Sequence, residues 1–388
     1  MTHKFILTST WSDMLSSCRF LSGLFLFIAF PFPSSTAAPP QNTYDSIATR
    51  LMETGLKDCE SYQMLTELVT HAPHRLSGSP GAARAVELTK EMMEKRGFDK
   101  VHLEAIKVPH WVRGPVEEAM VTHSASTKSA PLTVCAVGGS VATSEDGIEA
   151  EVVEVKSFEQ LRGLGQAAKG KIVFFNRPMD PTKLNTFESY GGAVDQRSRG
   201  AIEAAKVGGV AVLVRSMTLS LDDVPHTGQM SYADTVKKIP AAAISTMDAE
   251  MLSELLAQEK NVRVKIKLTC QTLPDEPSAN VVGEITGSEL PNEVIVVGGH
   301  LDAWDKGEGA HDDGGGCMQA IEAVNLIKKL GLKPKRTIRA VMFMNEENGN
   351  RGGKAYLVAP ERKGEIHIAA FESDAGGHAP RGFNVKGD

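Results

Sequence analysis

The stretch Val294-Ile295-Val296-Val297-Gly298-Gly299-His300-Leu301-Asp302 decides the fold of this chain. Its short, continuous apolar run is typical of a buried strand in a parallel sheet. A histidine and an aspartate follow directly where that strand ends. The stretch therefore predicts a strand whose carboxyl end presents polar, metal-binding side chains.

Two further apolar runs on the carboxyl side end in acidic residues. Residues 338–344 precede Glu346 and Glu347, and residues 366–371 precede Asp374. Helical patterns separate the runs, at residues 314–330 and around Tyr356. Such alternation predicts an α/β fold with a mainly parallel sheet, right-handed crossovers and helices on both faces. Ligands of such sheets bind outside the carboxyl ends of the strands.

The acidic residues at these strand ends form an uncompensated cluster of negative charge around His300. Such a cluster is unfavourable unless cations share it. Zinc is the simplest cation for mixed imidazole and carboxylate ligands, and several carboxylates together indicate two ions. The sequence therefore predicts a metallohydrolase.

Each residue of the cluster has an expected role. His300 offers an imidazole nitrogen to zinc, and the carboxylate of Asp302 can fix the tautomer of its ring. Asp312, before the glycines 314–316, can bridge two metal ions. An N-cap or a calcium loop is the alternative for that turn, although the EF-hand ligand pattern is absent.

The adjacent Glu346 and Glu347 point in different directions, so one can bind metal while the other accepts protons. Asp374 is the natural fourth ligand. His311, His367 and His378 are expected to be surface or loop histidines.

Composition and charge limit the classes of function. The 388 residues indicate two domains, and the net charge of -6 with a pI near 6.0 gives no reason to expect nucleic-acid or anionic-membrane partners. Cys59, Cys135, Cys270 and Cys317 lack metal-type spacing. They are compatible with a disulfide or with buried free thiols.

The amino terminus has the pattern of a signal peptide. Arg19 precedes an apolar stretch at residues 20–30 and small residues at 34–38, so residues 1–38 are interpreted as a secretory signal. The apolar stretch is short for a stable membrane span. Residues 39–55 are then a lead-in or propeptide. We expect a secreted protein of the secretory pathway or the lysosome.

Four ordered motifs resemble the co-catalytic zinc exopeptidases, which include double-zinc aminopeptidases and glutamate carboxypeptidases. The motifs are Gly298-Gly299-His300-Leu301-Asp302, Asp312-Asp313-Gly314-Gly315-Gly316, Asn345-Glu346-Glu347 and Glu372-Ser373-Asp374. The middle of the chain resembles the protease-associated domain inserted in many of these enzymes. The resemblance implies a catalytic domain in two parts, residues 56–126 and 275–388, interrupted by an insert at 127–274.

The resemblance also implies roles, cofactors and partners. His300 and Asp374 would hold one zinc ion, Glu347 the other, and Asp312 would bridge both. Glu346 would be the general base and Asp302 the support of His300. The implied substrates are short peptides, including dipeptides, and the implied assembly is a homodimer.

The family has one more metal-binding histidine, on a loop well after its last aspartate ligand. The chain ends at Asp388 without it. The resemblance therefore implies a truncated chain with weak occupancy of the second zinc site and little activity.

Three alternatives stay open from the sequence. They are an aminopeptidase of the same family, a non-enzymatic receptor-like relative, and an acyl-transfer enzyme of the glutaminyl cyclase type. The presence of each testable ligand disfavours the second, and the inserted domain disfavours the third.

Overall fold

The structure of this protein is a computed structural model that describes residues 42–58, 60–125, 129–379 and 382–386. The predicted signal peptide and Cys59 lie outside these residues. The chain divides into two units after Ile47. The described part of the first unit is the beginning of one helix, at residues 42–47.

The helices and strands are distributed over the whole described chain. The helices are α1 (Asn42–Lys57), α2 (Glu60–His71), α3 (Pro80–Lys95), α4 (Phe158–Leu164), α5 (Thr186–Gly191), α6 (Asp195–Ser198), α7 (Gly200–Lys206), α8 (Thr246–Gln258), α9 (Gly315–Lys329) and α10 (Arg351–Val358). The strands are β1 (Lys100–Val112), β2 (Glu117–His123), β3 (Ala130–Leu132), β4 (Val134–Ala136), β5 (Ile148–Val155), β6 (Ile172–Phe175), β7 (Ala211–Arg215), β8 (Ala241–Ile244), β9 (Arg263–Leu268), β10 (Gln271–Ile285), β11 (Leu290–His300), β12 (Arg336–Phe343) and β13 (Ile366–Glu372).

A five-stranded sheet places the polar strand ends side by side. Its order is β1-β10-β12-β11-β13. β11 is parallel to both β12 and β13, with His300 opposite Phe343 and Gly298 opposite Glu372, whereas β1 and β10 are antiparallel. The predicted α/β class is confirmed, and the parallel part of the sheet consists of the three strands identified from their apolar runs.

Helices cover both faces of this sheet, as the alternation of side chains in a strand requires. On one face, α2, α3 and α9 pack against residues that include Val281 and Met342. On the other face, Tyr356 of α10 packs with Val282 and Val341. Neighbouring residues of one strand therefore belong to opposite cores.

A second sheet has eight strands in the order β3-β2-β9-β5-β6-β7-β8-β4. Within this sheet, the neighbouring strands β5, β6, β7 and β8 all run parallel. The sheet includes β2, which begins at Glu117, before the predicted start of the insert at residue 127. The predicted division into domains stays a prediction.

Cys135, Cys270 and Cys317 are buried free thiols, which answers the open question for these three cysteines. Among the described helices, none combines the length and hydropathy needed to cross a membrane.

Arg339, on the central strand β12, links β10 to the segment that precedes the edge strand β13. Its guanidinium donates to Glu284 at 2.9 Å and to Glu365 at 2.7 and 2.9 Å. The side chains of Arg339 and Glu284 are only 5% and 4% exposed. Glu365 directly precedes β13, so this ion-pair network fixes the strand that leads to Asp374.

We expect Arg339→Met to lower the free energy of unfolding by about 3 kcal/mol, because it removes the buried cation that Glu284 and Glu365 share. The two carboxylates would keep only Lys100, at 3.0 Å from Glu284, and Arg362, at 3.9 Å from Glu365. The matched control is Arg351→Met, whose partner Asp275 is 47% exposed at 2.5 Å. An exposed pair contributes at most about 1 kcal/mol. Urea unfolding of both variants measures the difference, and equal losses would contradict this role of Arg339.

Candidate metal centre

His300, Asp312 and Asp374 meet beyond the carboxyl ends of β11 and β13. The Nε2 atom of His300 lies 2.9 Å from Asp312 Oδ1 and 3.5 Å from Asp374 Oδ1. One ligand atom from each of the three residues lies within 4.8 Å of the others. The imidazole is buried while the carboxylates are 64% and 42% exposed, so an ion could enter from the carboxylate side.

The ring of His300 is oriented by backbone rather than by a carboxylate. Its Nδ1 atom lies 3.0 Å from the carbonyl oxygen of Asp302. A carbonyl only accepts, so Nδ1 donates its hydrogen, and Nε2 is the nitrogen that a metal ion would bind in place of the proton shared with Asp312. The expectation that the Asp302 carboxylate contacts the ring was wrong, because that side chain turns toward other donors.

The carboxylate of Asp302 instead holds the turn after β12. It accepts hydrogen bonds from the backbone N–H groups of Glu346, at 2.9 Å, and Glu347, at 3.3 Å. Asn345 precedes them with a φ of 72°, and its buried amide donates to Ser77 Oγ at 2.8 Å. Asp302 therefore positions the two adjacent glutamates relative to His300.

Asp312 and Asp313 have different surroundings although they are adjacent. Asp313 is buried and accepts from the N–H groups of His300 and Gly316, both at 3.0 Å. Asp313, which precedes the N-cap residue Gly314, thus joins β11 to the first turn of α9. Asp312 is left to face the candidate ligands.

The pKa values reveal excess negative charge. Burial lowers the pKa of His300, but its hydrogen bonds to Asp312 and Asp374 outweigh burial and raise it to about 12. Burial, followed by the charge of Asp312, raises the pKa of Glu347 to about 8. Burial together with the charge of Asp374 raises the pKa of Asp313 to about 7. A bound cation would relieve this repulsion.

Glu346 and Glu347 do not belong to the compact group formed by His300, Asp312 and Asp374. Glu347 is half-buried and, with Asp312, lines a cavity of about 540 Å³, whereas Glu346 is exposed. His311, His367 and His378 are exposed, as expected.

The cavity joins the candidate metal centre to the eight-stranded sheet region. Trp304 lines it together with side chains from residues 179–228. Volumes of several hundred Å³ are usual for small-ligand sites. A bound peptide could thus contact both parts of the chain.

The sequence analysis did not identify Arg75 as a residue that supports the site. Its buried guanidinium donates to the carbonyl oxygens of Leu301 at 2.6 Å, and of Glu308 and Gly309 at 2.5 Å each. These carbonyls belong to the loop of residues 301–309, which connects β11 to Asp312. A lone arginine in a turn-rich segment belongs to no motif, so no signal in the sequence identified it.

Arg113 was missed for the same reason. It forms a bidentate pair with Asp305 at 2.6 and 2.8 Å and also contacts Glu117 at 2.9 Å. It therefore links the 301–309 loop to the eight-stranded sheet.

Comparisons with known proteins agree with this geometry. Residues 280–386 match the model of "Peptidase family M28". Carboxypeptidase Q of Bos taurus is 41% identical over 327 residues, covering 84% of this chain and 67% of the relative. Carboxypeptidase Q of Xenopus laevis is 40% identical, with coverage of 89% and 72%. The resemblance to zinc exopeptidases is confirmed.

Solved structures give the same result. A peptidase M28 precursor from Shewanella amazonensis superposes with a TM-score of 0.81 at 35% identity, covering 85% of this chain and 74% of that one. A zinc aminopeptidase from Bacillus subtilis has a TM-score of 0.59 at 21% identity, with coverage of 81% and 68%. The second likeness concerns the fold alone.

Gly316 and Gly315 provide a matched test of the packing behind the ligands. A Cβ on Gly316 would lie 1.8 Å from the carbonyl oxygen of Ser373 and 2.3 Å from Asp313 Oδ1. A Cβ on Gly315 would meet only the carbonyl oxygen of Ala310, at 3.3 Å. The first contact displaces the segment before Asp374, whereas the second requires a small adjustment.

We expect Gly316→Ala to lower stability by about 1–3 kcal/mol through overpacking and to reduce zinc retention. Gly315→Ala should have neither effect, since alanine is the better helix former. Thermal unfolding and zinc content after dialysis measure both. Normal zinc retention in Gly316→Ala would show that Asp374 does not depend on this contact.

Proposed function

The chain belongs to peptidase family M28, and from that premise we propose that this zinc-dependent exopeptidase hydrolyses short peptides, including dipeptides. The observation that supports this most is the group of His300, Asp312 and Asp374 beside a cavity of about 540 Å³. It combines metal ligands with room for a small substrate.

The residues fit zinc because they offer one imidazole nitrogen, whose proton the ion would displace, and carboxylate oxygens around a site with excess negative charge. We assign His300 and Asp374 to one ion, Glu347 to a second, and Asp312 to both. When bound, zinc supplies the Lewis acid that activates water and polarises the peptide carbonyl. The ligands hold this charge at the edge of the sheet, where a substrate can reach it.

Glu346 is the proposed general base. It is exposed toward solvent, and Asp302 binds the backbone of the turn on which it lies. Partial burial of its carboxyl group nevertheless raises the pKa of Glu346. The charge of His300 opposes this effect, and the charge of Asp374 adds to it. A carboxylate with a raised pKa is a better proton acceptor, so Glu346 can take a proton from the attacking water and return it to the leaving amine.

Arg197 supports cleavage of peptides with a free carboxyl terminus. It lines the same cavity as Asp312 and Glu347. Its guanidinium donates to Thr227 O at 3.2 Å and to the Tyr190 hydroxyl at 2.5 Å, and no ion pair with a carboxylate is found among the described residues. Its remaining N–H groups can therefore bind the substrate carboxylate.

The wider context is also proposed. Residues 127–274 act as an inserted unit that contributes one wall of the cavity and no metal ligand. The signal pattern around Arg19 supports a secreted or lysosomal location, and the protein acts as a homodimer.

In a chain completed to the length of its relatives, we expect Glu346→Gln to lower turnover by about 10²–10⁴-fold or more, because the proton acceptor is lost. Zinc content should not change. Glu289→Gln, the same change at an exposed carboxylate paired with Lys335, is the control and should be fully active. Dipeptide hydrolysis and zinc stoichiometry on the same preparations measure both effects, and an active Glu346→Gln would exclude Glu346 as the base.

The polarity of cleavage is tested with a dipeptide, its C-terminal amide and its N-acetyl form. We expect the amide to be the poorest substrate. Arg197→Gln should lower kcat/KM for the free acid by about 10–100-fold, as loss of a charge-assisted hydrogen bond implies, and leave the amide unaffected. Arg199→Gln, an exposed arginine 59% accessible beside Glu203, is the control. Preference for the amide over the N-acetyl form would favour the aminopeptidase alternative.

A further inference from the structure

The cavity beside the metal centre has an apolar wall with a distinct composition. The side chains that form it are those of Met179, Phe187, Tyr190, Met217, Leu219 and Trp304. We infer that this wall selects substrates whose C-terminal residue has a large apolar side chain, such as methionine, leucine or phenylalanine. The inference rests on the proposed peptidase function and goes beyond it by naming the side-chain class.

The inner part of the wall is fixed by packing. Met179 and Met217 are only 5% and 7% exposed and belong to the core of the eight-stranded sheet region, against which Tyr190 packs. A side chain that enters the cavity therefore meets a preformed apolar surface. Methionine side chains adapt to ligands of different shape, so the preference should extend to several apolar residues.

The outer part of the wall is exposed to water when no substrate covers it. Phe187 and Leu219 are 68% and 50% exposed. Covering such surfaces with another apolar group is favourable, whereas covering them with a polar or charged side chain is not. The outer part of the wall thus favours binding of apolar side chains, as the inner part does.

Apart from His226, each ionisable residue that lines the cavity already has an assigned partner. Asp312 and Glu347 are assigned to the metal ions, and Arg197 to the carboxylate that each peptide presents. An acidic side chain would compete with that carboxylate for a single guanidinium. A basic side chain would need an acid that the lining lacks.

The experiment uses Ala-X dipeptides that differ only in X. We expect kcat/KM for X of Met, Leu and Phe to exceed that for Ser, Glu and Lys by about tenfold or more, the range that apolar pockets provide. Phe187→Ala should lower the first group by about tenfold and leave Ala-Ser within about twofold. Leu184→Ala, a neighbouring residue that is fully exposed and does not line the cavity, is the control.

Dissociation constants of the same dipeptides for zinc-loaded Glu346→Gln separate selectivity from turnover. The inference is supported if Met, Leu and Phe bind most tightly and Phe187→Ala in that background removes the difference. A flat series, or preference for Glu or Lys, overturns the inference even if hydrolysis is normal. Selective binding without hydrolysis by a protein completed to the length of its relatives would instead overturn the proposed peptidase function. Equal loss for all six dipeptides in Phe187→Ala would assign Phe187 a structural role and overturn its part in selection.

Discussion

Repulsion among carboxylates at one sheet edge is the constraint on which the site depends. β11 and β13 deliver His300 and Asp374 to that edge, and the turn before α9 adds Asp312. The raised pKa values of Glu347 and Asp313, about 8 and 7, follow from burial and from neighbouring negative charge. Such an arrangement is stable when a cation occupies it. The arrangement therefore suits a metal-binding function better than a purely structural one.

Backbone groups, rather than side-chain cations, hold most of this charge in place. Asp302 accepts the N–H groups of the Glu346–Glu347 turn, and Asp313 accepts those of His300 and Gly316. Hydrogen bonds to a charged acceptor are stronger than neutral ones, so each buried carboxylate also fixes a segment of chain. Arg75 is buried nearby, and it donates to three carbonyl groups of the 301–309 loop. The ligands are thus positioned before any ion binds.

The sequence predicted the parts of this arrangement that are local in the chain. β11, β12 and β13 could be predicted as strands because each is an apolar run that is followed by polar residues. The antiparallel strands β1 and β10 could not, since the first half of β10 is exposed and Leu273 is its one large apolar residue, too few for an apolar run. Arg75 and Arg113 act on a loop about two hundred residues away, and pairings of that kind leave no periodic pattern. Asp302 was placed correctly near His300, but only coordinates could show that its carbonyl, not its carboxylate, meets the ring.

The 301–309 loop connects the wall of the cavity to the candidate metal ligands. Arg75 binds it from one side, and Arg113 binds Asp305 from the eight-stranded sheet region. Trp304 packs against that region so closely that a Cβ on Gly138 would lie 2.0 Å from its ring. The cavity wall and the ligands consequently share one rigid segment, although they come from different sheets. Residues such as Phe187 and Leu219, which lie outside this segment, can change without displacing His300 or Asp312. Selectivity for the side chain can therefore vary while the metal-binding geometry stays constant, and this separation explains why a common site can serve substrates of different class.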